Sequence, residues 1–135
     1  MHPRSKKWIE KRNFKFHNLI QQMKPLGFFD YNKLQKESFC VLSDSGTLSE
    51  ESAMLNFPGV LIRTSTERPE ALDSGSVVIG GITTKSITQA IELATTLKDE
   101  KITLNKDYLD LNVSSKVVKI IQSYTPIINI TTWRK

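Results

Sequence analysis

The chain has 135 residues, 39% of them hydrophobic, with a formal net charge of +5, a pI near 9.4 and a single cysteine. Its length suits one domain with a sizeable core, the lone cysteine excludes an internal disulfide, and the lack of a long apolar run excludes a membrane-spanning helix. The basic charge raises nucleic acid as a partner, because Lys and Arg neutralise phosphates. Nine of the nineteen Lys and Arg residues nevertheless fall within the first 36 positions, and no zinc-ligand spacing, recognition-helix pattern or base-stacking aromatic motif accompanies them. A solvated basic face is the expectation, with no nucleic acid and no membrane among the partners.

In chain order, the first predicted element is a helix over residues 5–12, which carries much of that basic charge. The N-terminus is basic but lacks the apolar core of an export signal, so the expected location is the cytoplasm. A short strand over 19–23 and a helix over 31–37 follow, then a buried-looking strand over 39–42 in which Cys40 reads as a small core residue. Next come a helix over 47–55, a strand over 60–62, a short helix over 69–72 and a strand over 76–79. From residue 84 to about 97 an amphipathic helix places Ile87, Ala90, Ile91 and Ala94 on one face. A polar loop spans 98–108, and Asn112 or Ser114 caps a last helix that runs through Tyr124 and is stopped by Pro126. Strands and helices alternating at this spacing predict an α/β fold with parallel strands joined by crossover units.

Two polar segments carry the chemistry. Ser43-Asp44-Ser45-Gly46-Thr47-Leu48-Ser49-Glu50-Glu51-Ser52 joins a strand to a helix through a small hydroxyl-rich turn. The first N–H groups of a helix lack intrahelical partners and lie at the positive end of its dipole, so a phosphate can sit there. Gly46 lets backbone come close, and the hydroxyls of Ser45 and Thr47 can donate to phosphate oxygens. Ordinary N-capping by Ser or Asp accounts for the same residues. The second segment, Arg63-Thr64-Ser65-Thr66-Glu67-Arg68-Pro69-Glu70, follows the next strand. If the two strands are parallel neighbours, both loops leave the same sheet edge, where open α/β folds bind ligands. Arg68 would then bring a planar donor fork toward an anion at the Ser45 turn, although an Arg between two Glu also fits a solvated salt bridge.

Together, Asp44-Ser45-Gly46 with Glu50-Glu51, and Glu67-Arg68-Pro69-Glu70 downstream, resemble the signature of the non-hydrolysing UDP-N-acetylglucosamine 2-epimerases. His2-Pro3-Arg4 resembles the His-Pro element that opens the family's C-terminal domain. Residues 25–31, Pro-Leu-Gly-Phe-Phe-Asp-Tyr, resemble its nucleotide-base loop, and residues 124–135, ending in Thr132-Trp133-Arg134-Lys135, its closing segment. Thr47 stands where a second glycine is more usual and Ser49 where a glutamine is. With His2-Pro3-Arg4-Ser5-Lys6-Lys7, these departures resemble the capsule and O-antigen branch that forms UDP-N-acetyl-L-fucosamine.

The resemblance implies a Rossmann-like sheet forming the C-terminal half of a GT-B-type two-domain fold, with residues 1–135 as the UDP-binding domain. It implies a UDP-N-acetyl-hexosamine substrate, no cofactor, no metal, and a homodimer for the full-length enzyme. His2 is carried over as a catalytic residue, Ser45, Gly46, Thr47 and Arg68 as the diphosphate grip, Glu51 as the acceptor for the ribose hydroxyls, and Phe29 and Tyr31 as the uracil wall. Glu50 points elsewhere on the helix and reads as structural, and His17 as a surface residue. Met1 stands directly before His2, so the chain reads as a fragment lacking the N-terminal domain and its acid–base carboxylates, inactive alone. The UDP-holding domain of a GT-B glycosyltransferase and a stand-alone nucleotide-binding module remain alternatives. Glu67-Arg68-Pro69-Glu70 with His2-Pro3 favours the epimerase.

Overall fold

The computed structural model describes residues 3–98, 104 and 106–135. Its centre is a three-stranded parallel sheet in the order β1 (Val41–Ser43), β2 (Gly59–Leu61), β3 (Val77–Ile79). In register, Val41 pairs with Gly59 and Ser43 with Leu61, while Gly59 pairs with Val77 and Leu61 with Ile79. All three strands therefore end at one edge, and the loops that follow them open on the same side of the sheet.

The crossovers carry α3 (Leu48–Leu55) between β1 and β2, and α4 (Pro69–Asp73) between β2 and β3. Side chains alternate across β2 as the pleat requires. Gly59 faces α3, where an added Cβ would lie 3.2 Å from Ser52 and 3.2 Å from Val77, and Leu61 joins a buried cluster with Leu48, Phe57, Ala71 and Val77. On the opposite face, Val60 packs near Gly80 and Ala90 of α5 (Thr84–Thr96). The sheet is thus covered on both faces, the α/β layering predicted from the alternation of elements.

Local chemistry explains the boundaries. Pro69 occupies the first turn of α4, where its missing N–H costs nothing. The α5 N-cap, Thr83, accepts from the Ser86 N–H at 3.2 Å, and α3 ends at Asn56 in the left-handed conformation. Ser52, fully buried, lies 2.7 Å from both the Phe57 and Ser76 carbonyl oxygens, so its hydroxyl ties α3 to the two strands it crosses.

Four expectations need correction. Residues 19–23 form no strand: the run is only Leu-Ile before Gln-Gln-Met, and Leu19 stays 82% exposed with no sheet partner. β1 is accordingly an edge strand rather than a buried one, with Phe39 and Leu42 exposed and Cys40 half-buried just before it. Burial still raises the Cys40 thiol above its ordinary pKa. The second helix, α2 (Phe28–Lys36), begins three residues earlier than expected, inside the segment read as a loop. Finally, Pro126 does not stop the last helix. α6 (Val113–Ile128) runs through it into a π-helical turn, Asn129–Trp133, because one missing N–H leaves the neighbouring bonds of the ladder intact. Most of the loop predicted over 98–108 lies outside the described residues; Lys106–Tyr108 is a single 3₁₀ turn.

The first helix, α1 (Pro3–Lys11), presents its basic side chains to solvent, with Lys11 and Arg12 over the Trp8 ring, as expected of a solvated basic face. α6 buries none of its residues, and Val117, Ile120, Ile121 and Tyr124 are exposed on it. Among the described residues, no helix is long and apolar enough to cross a membrane.

This division predicts unequal responses to substitution. Leu61→Ala should cost about 2–5 kcal/mol in urea unfolding, because it empties a fully buried site between α3 and the sheet. Ile121→Asn on exposed α6 should change the unfolding free energy by no more than about 0.5 kcal/mol.

Candidate functional site

The turn between β1 and α3 is held by its own hydroxyls. Ser43 Oγ accepts from the Ser45 N–H at 3.0 Å, and the Ser45 and Thr47 hydroxyls lie 2.9 Å apart, bonded to each other. Neither caps the helix: Thr47 holds the N-cap position in helical conformation and makes no side-chain capping bond. The capping role that these residues could have had is therefore not the one they adopt. The Leu48 and Ser49 N–H groups instead bond back to the Ser45 and Gly46 carbonyls at 3.3 and 3.2 Å, which leaves the helix dipole and the two adjacent hydroxyls at the sheet edge.

Arg68 reaches this turn from the loop after β2, as the parallel pairing of the strands requires. Its backbone N–H donates to Thr66 Oγ1 at 3.1 Å. Its Nε donates to the Glu50 carboxylate in a partly buried ion pair, which raises the guanidinium pKa further. With Nε taken, the guanidinium lies across Gly46, where an added Cβ would be 2.8 Å from Nη1. A side chain at this position would push the guanidinium aside. The flanking acids pair elsewhere: Glu67 with Arg63 at 2.7 Å, and Glu70 with the Tyr108 hydroxyl at 2.9 Å. Arg68 is thus bound across the site rather than to its sequence neighbours.

Glu50, which reads from sequence as structural, is the ion-pair partner of Arg68, a pairing that the sequence reading does not identify. The next residue, Glu51, turns toward α2, where Gln35 Nε2 donates to its Oε2 at 2.6 Å. Tyr31 stands on that same side, its phenol pKa raised first by burial and then by the Glu51 charge. Phe29 lies two positions from Tyr31 on α2, is 84% exposed, and stacks edge-on against Phe28 at 5.6 Å. The two residues read as a uracil wall therefore project from different sides of the helix. Gln35 and Tyr108 were also missed; Tyr31 and Gln35 are four apart, the spacing that could have disclosed Gln35.

His2 lies outside the described residues. His17 is exposed, its Nδ1 accepting from the Leu19 N–H at 3.3 Å, as a surface residue would be. Among the described residues, no group of three His, Cys, Asp or Glu side chains could hold a metal ion.

The geometry joins Ser45, Gly46, Thr47 and Arg68 at one sheet edge, with Glu50 and Glu51 beside them. The sequence profile of the UDP-N-acetylglucosamine 2-epimerases matches residues 1–122. The chain belongs to this family. UDP-N-acetylglucosamine 2-epimerase from Methanococcus maripaludis is 33% identical over 96 residues, 68% of this chain and 26% of that protein. Among solved structures, the Rickettsia bellii UDP-N-acetylglucosamine 2-epimerase is 37% identical with a TM-score of 0.78, matching 99% of this chain and 38% of that one. The Methanocaldococcus jannaschii UDP-GlcNAc 2-epimerase, solved in complex with UDP-GlcNAc and UDP, is 25% identical with a TM-score of 0.73, over 90% of this chain and 34% of that one. This epimerase-family chain thus spans about a quarter of the length of the curated relatives it matches.

Tyr108 offers a pH test of the layer beside Arg68. Burial, then its bond to Glu70, pushes its pKa from 10.0 up to about 12. The folded chain holds this proton longer than the unfolded chain, so the stability it contributes is complete below pH 10 and is lost as pH rises toward 12. The tyrosinate absorbance lost on Tyr108→Phe should therefore develop near pH 12 rather than 10. The variant's stability deficit in urea should shrink over the same interval.

Proposed function

We propose that this chain is the UDP-binding, C-terminal half of a non-hydrolysing 2-epimerase acting on a UDP-N-acetyl-hexosamine. The observation that carries the reading is the Arg68 guanidinium, tethered through Nε by Glu50 and laid across Gly46 at the uncapped start of α3. Its Nη groups and the Ser45 and Thr47 hydroxyls are the donors that a diphosphate needs, placed at the positive end of the α3 dipole. Glu51 follows Glu50 on the helix as acceptor for the ribose cis diol, and Tyr31, on the Glu51 side of α2, supplies the aromatic wall for uracil, with Phe29 on the other side of that helix left out of it.

The reaction proceeds by elimination and re-addition. Removal of the C2 proton and cleavage of the C1–O bond release UDP and leave a 2-acetamidoglycal. Protonation of C2 from the opposite face, with return of the UDP oxygen to C1, gives the epimer. In this scheme Ser45, Gly46, Thr47 and Arg68 stabilise the charge that grows on the leaving diphosphate and retain UDP until re-addition. His2 serves as a catalytic residue at the cleft, its imidazole suited to proton transfer near neutral pH. The other acid–base carboxylates belong to an N-terminal domain, so the isolated chain binds UDP but does not turn over.

Thr47 and Ser49, with the His2-Pro3-Arg4-Ser5-Lys6-Lys7 opening, favour the branch that forms UDP-N-acetyl-L-fucosamine for capsule or O-antigen synthesis in the cytoplasm. A homodimer is the assembly of the full-length enzyme on this reading.

Calorimetric titration with UDP tests the proposal. Wild-type chain should bind, and Arg68→Ala should weaken binding about tenfold or more, the worth of a charge-assisted hydrogen bond in a partly buried site. No heat with wild type, or equal affinity in the variant, would remove the diphosphate assignment. Gly46→Ala should reproduce part of the loss, because the new methyl displaces the guanidinium without removing its charge.

A further inference from the structure

Gln35 is 3% exposed, a buried polar side chain on α2 whose Nε2 donates to Glu51 Oε2 at 2.6 Å. A carboxylate only accepts, so the amide must present its nitrogen to Glu51, and its own oxygen is thereby turned away. That Oε1 is buried and has no hydrogen-bond partner. Burying an unpaired carbonyl is unfavourable, so the amide is a poor choice for packing alone. The α2 terminus that carries it is itself pinned: the Gln35 carbonyl accepts from the Ser38 hydroxyl at 2.7 Å and from the Ser38 N–H at 3.2 Å. On α3, meanwhile, the preceding residue Glu50 is committed to Arg68.

We infer that Gln35 is a positioning residue for ribose recognition. Its buried amide ties one oxygen of Glu51 and leaves the other, Oε1, for the cis diol of a ribonucleotide. The strength of the preference for ribose over 2′-deoxyribose is then set by a contact two layers away from the ligand. The inference rests on Glu51 as the ribose acceptor and deepens that reading. A glutamine fits the task because it donates to Glu51 without adding charge, whereas Lys or Arg would neutralise the acceptor.

The test compares UDP with 2′-deoxy-UDP by calorimetry on the full chain. Gln35→Leu is close in volume and removes both the donor and the unpaired oxygen. It should lower UDP affinity about tenfold while leaving 2′-deoxy-UDP affinity unchanged, the loss expected when a hydrogen bond to a charged group is removed. Equal weakening of both nucleotides would show a merely structural role and overturn the inference, as would no change in either. If Gln35→Leu does not fold, Gln35→Met makes the same comparison with a more adaptable side chain. Glu51→Gln separates the two levels. If discrimination between the nucleotides survives in Glu51→Gln, the ribose reading itself fails. If it is lost there but kept in Gln35→Leu, the ribose reading stands and Gln35 does not position it.

Discussion

The close approach of α3 to the sheet is the constraint on which the rest of this structure depends. Gly59 has no side chain, so Ser52 can come against β2, and the Ser52 hydroxyl spans the carbonyls of Phe57 and Ser76. A side chain at residue 59 would press on Ser52 and Val77 at 3.2 Å and force them to shift. With α3 held there, its N-terminus must emerge at the edge where β1, β2 and β3 end. The loop after β2 then carries Arg68 to within reach of Gly46.

From that placement the electrostatics follow. Two consecutive acids on α3 face opposite tasks: Glu50 takes Arg68 from the β2 loop, and Glu51 takes Gln35 from α2. Arg68 remains strongly cationic, and Tyr108 and Glu70 form a neighbouring pair near it. The result is a site whose positive fork and negative acceptor are each fixed by a contact from a different element. Such preorganisation reduces the side-chain freedom that is lost when these groups engage a ligand.

Around this ordered centre, several elements bury little. α6 exposes Val117, Ile120, Ile121 and Tyr124, and the stretch after α1 exposes Leu19, Ile20 and Met23. Among the described residues β1 keeps one edge unpaired, flanked by an exposed Phe39. The stable core consequently belongs to α3, α4, α5 and the three strands, and the candidate site is built on or against those elements and α2.

Much of this was legible in the residues. Alternating apolar runs and helical patterns determined the parallel α/β layering, because crossover units leave few other ways to bury both faces of a sheet. The Ser45-Gly46-Thr47 turn and Arg68 were legible as partners, since consecutive parallel strands deliver their following loops to one edge. Residues 19–23 and Pro126 misled, because a short apolar run becomes a strand only beside a partner edge, and a proline removes one bond rather than a whole helix. What only the tertiary structure decided was which charge meets which. Sequence adjacency offered Arg68 the acids Glu67 and Glu70, yet the fold gave it Glu50 and gave Glu51 the buried Gln35. Ion pairs and buried hydrogen bonds act over a few ångströms in space, and that distance exists only once α2, α3 and the β2 loop have packed.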